Sequence, residues 1–371
     1  MVDGGKSAVY LHSLFTIYQS SGETVRMSEV ARIVRVTPAR GIRGGEVIIE
    51  CTHLGTDRLR DCIAWFDGSE GHLVGASARR VLAKVPELRG GGEVEVTLEC
   101  DGLRTAPAKF AVASKLVEDL HLVTSPAFDP DDGSLYVTRS GSRGQEFPVT
   151  LFRIDAGGVI SDFSGDIANP TGIAFDKSGQ MFVSSRMDGT VYRITPFKEA
   201  VAFATNLGVA TGIAFDRDGQ MHVGDRTGTI YRVNGIGEET AWAHLEQSVS
   251  AYHLAFGPDG ALYVTGPTVS SFESVMRVAP SGETSVFYRG LGRPHGLAFD
   301  REGNLYVAAS LGGRRGVVRI TPDGRDAEMF VAGTDVVGLA FSAAGEMVVA
   351  THEGVYNLPL GIYGTLLNDG R

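Results

Sequence analysis

The feature that most constrains the fold of this chain is a repeat that fills its last two thirds. Each copy has an apolar segment ending in Ala-Phe, a turn rich in Asp, Gly and Ser, and a second apolar segment. The Ala-Phe pair recurs at steps of 40–47 residues. Apolar segments split by such turns predict pairs of antiparallel strands. The six copies are SPAFDPDDGSLYV (125–137), GIAFDKSGQMFV (172–183), GIAFDRDGQMHV (212–223), HLAFGPDGALYV (253–264), GLAFDREGNLYV (296–307) and GLAFSAAGEMVV (338–349).

Two further strands complete each unit. A third apolar segment follows in five of the units, as in LFRI (151–154) and VYRI (191–194), and a fourth comes after it, as in VAFAT (201–205). Four short strands every ~40–45 residues are typical of a β-propeller blade. We therefore predict a six-bladed β-propeller over residues 114–371.

A propeller must also close its ring so that no edge strand stays exposed. The outer strand of the last unit could come from residues 362–367 or from the upstream segment LVEDLHLV (116–123). We favour the upstream segment.

The composition agrees with a chain of many short strands. Forty-nine glycines against fourteen prolines, without a Gly-X-Y period, fit tight turns, and 43% hydrophobic residues exclude a disordered chain. No apolar run approaches the ~18 residues that a membrane span needs, so we expect no membrane partner.

The repeat pattern G-[IL]-A-F-D-x-x-G-x-[LM]-Y-V, followed by R-[IV], resembles three groups of propellers. These are the NHL-repeat proteins, the regucalcin/gluconolactonase family and the virginiamycin B lyase family. The shared residues are mainly those that build the blades. The resemblance therefore implies the fold, and it implies an activity only where family site residues are also present.

Residues 31–113 read as a separate, small all-β sandwich. Its segments VTPARGIRGG (36–45), FDG (66–68) and VEVTLECDG (94–102) occur in the order seen in immunoglobulin-like IPT/TIG domains, which this region resembles. The resemblance implies a spacer or an interaction module. The fold class we predict is all-β, an immunoglobulin-like sandwich followed by the propeller. We interpret residues 1–30 as an N-terminal extension, either a tag or a start called too early, with Met27 as the true start.

All three cysteines, Cys51, Cys62 and Cys100, belong to the sandwich region. Strand parity points Cys51 and Cys100 to the inside of the domain. We expect two buried thiols, with a disulfide between Cys51 and Cys100 as the alternative. Only the disulfide would imply an oxidising compartment. Since no signal peptide is recognised, the expected location is the cytoplasm.

Positions that break the repeat are the best candidates for a functional site. One set of such positions contains one residue from each repeat unit, two residues before the Ile/Leu-Ala-Phe core. In a propeller these six residues form a ring around the central channel. In the regucalcin family this ring holds a divalent metal on Glu, Asn and Asp side chains. A hard cation prefers several charged oxygen ligands, which this chain lacks there. We therefore predict no cofactor, with Ca²⁺ or Mg²⁺ only if the protein is an enzyme. The ring consists of Thr124, Thr171, Thr211, Tyr252, His295 and Val337.

An enzymatic interpretation depends on His295. The segment R-P-H-G (293–296) resembles the lyase family's P-H-[GA] motif, which implies that His295 is a general base, and Tyr252 or Asp225 could assist it. The lyase family has an acidic residue where this chain has Ala309. His295 could instead be a hydrogen-bonded channel residue without a catalytic role. His253, which replaces the glycine of other units, is expected to leave the channel for the loop.

A second ring, after the second strand of each unit, contains arginines from units 1, 2 and 3. The guanidinium group suits carboxylates and phosphates, so we predict a site for a small anion or an acidic peptide. The alternative is that these arginines pair locally with Glu146, Asp188, Asp225 and Glu353. The predicted ligand-binding residues are Arg139, Arg186, Arg226, Thr124, Thr171, Thr211 and His352.

The charge distribution bears on the class of partner. Residues 114–371 carry the whole net charge of −10. An acidic propeller repels polyanions, which disfavours nucleic acid as a partner. Two hypotheses remain: a binding or scaffolding propeller, and a hydrolase or lyase of the gluconolactonase or virginiamycin B lyase type.

Overall fold

In the computed structural model, the residues that can be described are 31–52, 54, 62–120, 123–141, 147–269 and 273–365. All regular elements within these ranges are β-strands. No helix that could cross a membrane occurs in this part of the chain. The extension predicted for residues 1–30 lies outside it.

Nine strands build the N-terminal region. Their order is β1-β3-β6-β5-β4-β7-β9-β2, with β8 paired to β7. Alternate residues of β3, β4 and β7 point into one hydrophobic core around Ile49, Phe66, Leu98 and Phe110, each at most 1% exposed. The strands are β1 (Arg32–Thr37), β2 (Arg40–Gly41), β3 (Glu46–Thr52), β4 (Cys62–Phe66), β5 (Ser69–Ser77), β6 (Arg80–Lys84), β7 (Gly92–Cys100), β8 (Leu103–Arg104) and β9 (Ala108–Val112).

The repeat region forms a β-propeller. Each repeat unit gives one four-stranded antiparallel unit, numbered here as blades 1 to 6. Blades 1 to 3 consist of β11 (Val123–Phe128), β12 (Leu135–Arg139), β13 (Leu151–Ile154) and β14 (Ile160–Ser164); β15 (Pro170–Phe175), β16 (Met181–Ser185), β17 (Thr190–Ile194) and β18 (Ala200–Ala204); and β19 (Ala210–Phe215), β20 (Met221–Asp225), β21 (Thr229–Val233) and β22 (Glu239–His244).

Blades 4 to 6 repeat the arrangement. Blade 5 has the same four-stranded meander but shares a continuous sheet with the N-terminal strands, whereas the other five blades are separate sheets. The strands are β23 (His253–Phe256), β24 (Leu262–Thr265), β25 (Glu273–Val278) and β26 (Thr284–Leu291); β27 (Leu297–Phe299), β28 (Leu305–Leu311), β29 (Arg314–Ile320) and β30 (Ala327–Ala332); and β31 (Val336–Phe341), β32 (Glu346–Thr351), β33 (Val355–Pro359) and the upstream β10 (Ser114–Val117).

The ring closes as the sequence predicted, through the upstream strand. The innermost strand of each blade contacts that of the next, and β31 contacts β11. The outer strand of blade 6 is β10, in which Lys115 pairs with Tyr356. It lies slightly earlier than the predicted segment 116–123. Gly364 near the C-terminus instead forms a bridge with Asp300 of blade 5.

The Ala-Phe repeat has a packing explanation. In five consecutive blade pairs, a ring on the second strand of one blade lies against the repeat phenylalanine of the next, with centroids 4.8–5.8 Å apart. Such tilted and edge-to-face pairs add to the burial of the rings themselves. In blade 3 the ring is the imidazole of His222, and burial lowers its pKa to about 4. The pairs are Tyr136–Phe175, Phe182–Phe215, His222–Phe256, Tyr263–Phe299 and Tyr306–Phe341.

The N-terminal region is attached to blade 5 by backbone pairing. Strand β2 runs parallel to β30, and the Ile42 N–H donates to the Ala332 carbonyl oxygen at 2.9 Å. Ile42 packs in the core shared by blades 5 and 6. Lys115 of β10 also forms an ion pair with Glu87 at 2.7 Å. The two regions are therefore joined through buried as well as exposed contacts.

The alternative of a disulfide between Cys51 and Cys100 is wrong, and the favoured expectation of two buried thiols holds only for Cys51. Both side chains are buried, as strand parity indicated, but Cys100 is bonded to Cys62, which lies directly opposite it on β4. Cys51 is a free thiol, and burial raises its pKa to about 11. Parity identifies the face on which a residue lies, but it does not identify the residue opposite.

Candidate functional site

Three arginines lie at one end of the propeller channel, and we call this group of Arg139, Arg186 and Arg226 the arginine mouth. Arg139 ends β12, and the other two follow β16 and β20 directly. The backbone places the latter two equivalently, because the Arg186 N–H donates to the Asn169 oxygen at 3.3 Å and the Arg226 N–H donates to the Val209 oxygen at 3.2 Å. The structure brings Arg186 and Arg226 of neighbouring blades close enough to interact, and Arg139 occupies the corresponding strand end of blade 1.

All three arginines are half-buried, and the guanidinium groups of Arg186 and Arg226 are close enough to repel each other. Burial lowers the pKa of Arg186, and the charge of Arg226 lowers it further. Arg186 Nη2 donates to the carbonyl oxygen of Gly141 at 2.6 Å. The Arg139 guanidinium stacks 3.9 Å from the centre of the Phe147 ring, and its Nε has no hydrogen-bond partner among the residues that the structure describes. A bound anion would reduce the repulsion between Arg186 and Arg226.

Two of the four acidic residues expected to neutralise these arginines, Asp188 and Asp225, have other partners. Asp188 accepts the Tyr192 hydroxyl at 2.6 Å. Asp225, only 3% exposed, accepts the N–H groups of Val209 at 2.9 Å and Thr227 at 3.0 Å. Among the residues that the structure describes, Asp188, Asp225 and Glu353 form no ion pair with the arginine mouth. Glu146 lies outside those residues.

The threonines of the first ring are used largely for contacts within and between blades. The Thr171 hydroxyl donates to the Asn169 oxygen at 3.4 Å. The Thr211 hydroxyl donates to the Gly224 oxygen at 2.9 Å and accepts the Tyr252 N–H at 3.1 Å, so it links blade 3 to blade 4. The side chain of Thr124 lies outside the described part of the chain.

Tyr252 is held inside the propeller wall. Its hydroxyl donates to the Glu246 carbonyl oxygen, and the residue is 3% exposed. Its side chain packs between Gly224 and Gly266. A Cβ added to Gly224 would lie 3.1 Å from the Tyr252 Cβ, and a Cβ added to Gly266 would lie 2.7 Å from a Tyr252 ring carbon. Burial raises the pKa of the phenol. Tyr252 and Asp225 thus both have partners within blades 3 and 4.

His295 is half-buried at the same end of the channel as the exposed His352. Burial, with the charges of Arg293 and His352, lowers the pKa of His295 to about 4, so its imidazole is neutral at pH 7. The His253 ring lies edge-on to it, with centroids 5.9 Å apart. His253 lines the channel, so its expected displacement into the loop is wrong.

The residues present do not fit the metal site of the regucalcin family. No group of three His, Cys, Asp or Glu side chains suited to a metal occurs in the described ranges. The first ring supplies hydroxyls, an imidazole and a valine in place of carboxylates. We derive no reaction step through a metal.

Sequence reasoning missed a cavity that opens at the other end of the channel. It has a volume of about 920 Å³ and is lined by the alanines of the Ala-Phe pairs. The recurrence of alanine at the same position in all six repeats was a signal that could have revealed it.

Comparison with known proteins identifies the fold. No protein-family model and no curated protein sequence matches the chain. A gluconolactonase from Xanthomonas campestris has a similar structure, with 18% identity, a TM-score of 0.57, and coverage of 67% of this chain and 89% of that one. An auxiliary nutrient binding protein from Bacteroides thetaiotaomicron has 13% identity and a TM-score of 0.53, over 89% of this chain and 97% of that one.

Virginiamycin B lyase from Staphylococcus aureus matches at 16% identity and a TM-score of 0.48, over 67% of this chain and 87% of that one. We base nothing on this weaker match. The identities of the other two are low, so they show a shared β-propeller fold alone. The nutrient-binding match covers more of the chain than the propeller contains, so it includes N-terminal strands.

Proposed function

We propose that this protein is a binding protein, and that its arginine mouth recognises a small anionic molecule or an acidic peptide. The observation that carries the proposal is the pair formed by Arg186 and Arg226. These half-buried cations repel each other, and no described carboxylate neutralises them. A carboxylate or phosphate that bridges them would form charge-assisted hydrogen bonds in a partly desolvated site.

We also propose that residues 31–113 form an immunoglobulin-like IPT/TIG module that holds the propeller in a fixed orientation. The continuous sheet through β2 and β30 supports such a rigid attachment. In this arrangement the arginine mouth is the ligand-binding part of the protein, and the N-terminal module acts as a spacer or contacts a protein partner.

Calorimetric titration with citrate and inorganic phosphate tests the binding proposal. We expect Arg186→Ala/Arg226→Ala to weaken binding of whichever anion binds by at least about tenfold, since each charged hydrogen bond contributes ~1.5–3 kcal/mol. Arg193→Ala/Arg289→Ala is the control, because it removes the same charge from exposed outer strands. Equal affinity of the two double variants, or binding of neither anion nor a hexaglutamate peptide, would refute the proposal.

The second candidate is a hydrolase or lyase that uses His295 as general base. It is favoured by the neutral, half-exposed imidazole of His295 at the arginine mouth. A general base must be unprotonated to accept a proton, and the His295 imidazole is unprotonated at pH 7. Its pKa of about 4 also makes it a weak base. Lactone hydrolysis by the purified protein, abolished in His295→Ala but retained in His244→Ala at an exposed position on β22, would place this candidate first. No turnover would eliminate it for that substrate class.

A further inference from the structure

The propeller channel widens towards the mouth opposite the arginines, which we call the turn mouth. The turns that follow each innermost strand surround it. The cavity there, which we call the funnel, has a volume of about 920 Å³, within the usual range for small-molecule sites. Its charged residues, including Asp129, Asp176 and Arg217, lie in the turns at its rim. The wall below the rim presents one methyl group per blade, from Ala127, Ala174, Ala214, Ala255, Ala298 and Ala340.

A smaller chamber of about 90 Å³ lies deeper in the channel, two residues earlier on the same innermost strands. Leu297 and Leu339 line both the funnel and the chamber. Because residues two apart on a strand share a face, both layers point towards the channel axis. The residues of the chamber layer are Ser125, Gly172, Gly212, His253, Gly296 and Gly338.

Two polar side chains interrupt this layer of glycines. His253 belongs to blade 4 and Ser125 to blade 1, so they lie on opposite sides of a six-bladed ring. His253 is only 9% exposed, its ring lies edge-on to that of His295, and it lines the chamber. An imidazole this deeply buried is stabilised by a hydrogen bond, and a group placed in the chamber that it lines can supply one.

We propose that the channel binds a neutral, largely apolar molecule that carries a hydroxyl group and enters through the turn mouth. Its apolar body lies against the ring of alanine methyl groups in the funnel. Its hydroxyl group lies in the chamber, hydrogen-bonded to His253 and facing Ser125. This site is separate from the arginine mouth and does not depend on the function proposed there.

The residues that line the funnel and the chamber favour a neutral, largely apolar ligand with a hydroxyl group. The funnel wall below the rim has no charged side chain, so a charge placed there would lose water without gaining a partner. At the rim, Asp129 accepts the N–H of Asp131 and Asp176 accepts the N–H of Ser178, both at 2.8 Å, so these carboxylates serve their own turns. A neutral imidazole offers one donor and one acceptor, which match a hydroxyl group.

Fluorescence titration with 1-hydroxypyrene and pyrene tests the proposal, since the two probes differ only by the hydroxyl group. We expect the intact protein to bind 1-hydroxypyrene about fivefold more tightly, the value of one net hydrogen bond. His253→Phe keeps a ring but should remove this preference, and His253→Gln should retain part of it. Equal binding of both probes by the intact protein, or an unchanged preference in His253→Phe, would overturn the role of His253.

Filling the funnel tests the location. Ala174→Phe introduces a ring into the funnel wall and should weaken both probes at least about tenfold, because the apolar contact area is lost. Ala202→Phe makes the same substitution at an exposed position on β18 and should leave binding unchanged. Thermal unfolding confirms that both variants are folded. If both bind alike, the probes do not occupy the funnel and the site is wrong.

A final pair of binding measurements distinguishes this site from the arginine mouth. Arg186→Ala/Arg226→Ala should bind 1-hydroxypyrene as the unsubstituted protein does, and Ala174→Phe should bind citrate or phosphate as the unsubstituted protein does. Loss of pyrene-probe binding in the arginine variant would contradict a ligand that enters through the turn mouth.

Discussion

Cys62 and Cys100 are paired directly across neighbouring antiparallel strands, with their Cα atoms 4.1 Å apart, and they form a disulfide. The bond closes a loop over a sequence separation of 38 residues. A disulfide that spans such a loop stabilises a domain by about 3–4 kcal/mol, chiefly by restricting the unfolded chain.

Reduction should therefore lower the free energy of unfolding of the N-terminal region by about 3 kcal/mol in a urea titration. Cys62→Ala/Cys100→Ala should show the same loss and no further response to reductant. Cys51→Ala, which removes the buried free thiol, should still respond to reductant. Thiol counting on the denatured, unreduced protein should find one thiol, and three would show that the bond is absent.

The joint between the N-terminal region and the propeller has little room at Gly45. A Cβ added there would lie 2.4 Å from the Ala332 carbonyl oxygen, which also accepts the Ile42 N–H. We expect Gly45→Ala to lower the free energy of unfolding by about 1–3 kcal/mol, because backbone atoms must shift. Gly75→Ala is the control, since nothing lies within 4 Å of its added Cβ. Equal unfolding midpoints for the two variants would contradict a tightly packed joint.

The fold could be predicted from the sequence because its pattern is local and repeated. Each Ala-Phe segment forms an innermost strand, and the phenylalanine packs on a ring of the preceding blade, as Phe215 does on Phe182. Closure through an upstream strand followed from the need to cover an edge. These inferences need only periodicity and a rule about sheets.

The functional site was harder to predict from the sequence than the fold, because it depends on distances between residues of different blades. Parity placed Cys51 and Cys100 inside but could not show that Cys62 lies opposite Cys100. The repeat alignment placed Asp225 at the mouth but could not show that neighbouring N–H groups occupy its carboxylate. The displacement of His253 was misjudged because strand spacing around the channel is not encoded locally.

Asp225 provides a test of a structural against a catalytic role. Its buried carboxylate accepts the N–H groups of Val209 and Thr227. We expect Asp225→Ala to lower the free energy of unfolding by about 1–3 kcal/mol, because two partly buried N–H donors lose their acceptor. Asp218→Ala, at an exposed position in the turn mouth of the same blade, should have little effect. A stable Asp225→Ala protein would show that these hydrogen bonds contribute little.

Stability should fall in acid partly because of His253. Burial, with the nearby His295, lowers the pKa of His253 to about 3, whereas an unfolded histidine titrates near pH ~6.5. Between these values the unfolded chain binds the proton and the folded chain does not. The contribution of the neutral imidazole to stability is therefore complete above about pH 6.5, and it is lost as the pH falls towards about 3.

His253→Phe removes this contribution. Between pH 6.5 and 5 the free energy of unfolding of the variant should fall by about 2 kcal/mol less than that of the unsubstituted protein, at ~1.4 kcal/mol per pH unit. His222, whose pKa is also lowered by burial, titrates in both proteins and cancels in the difference, whereas the electrostatic coupling of His253 to the neighbouring His295 is part of the measured difference. Urea titrations at pH 7, 6 and 5 measure it, with exposed His72→Phe as the control. Parallel pH profiles for His253→Phe and the unsubstituted protein would mean that the imidazole is accessible to protons in the folded channel.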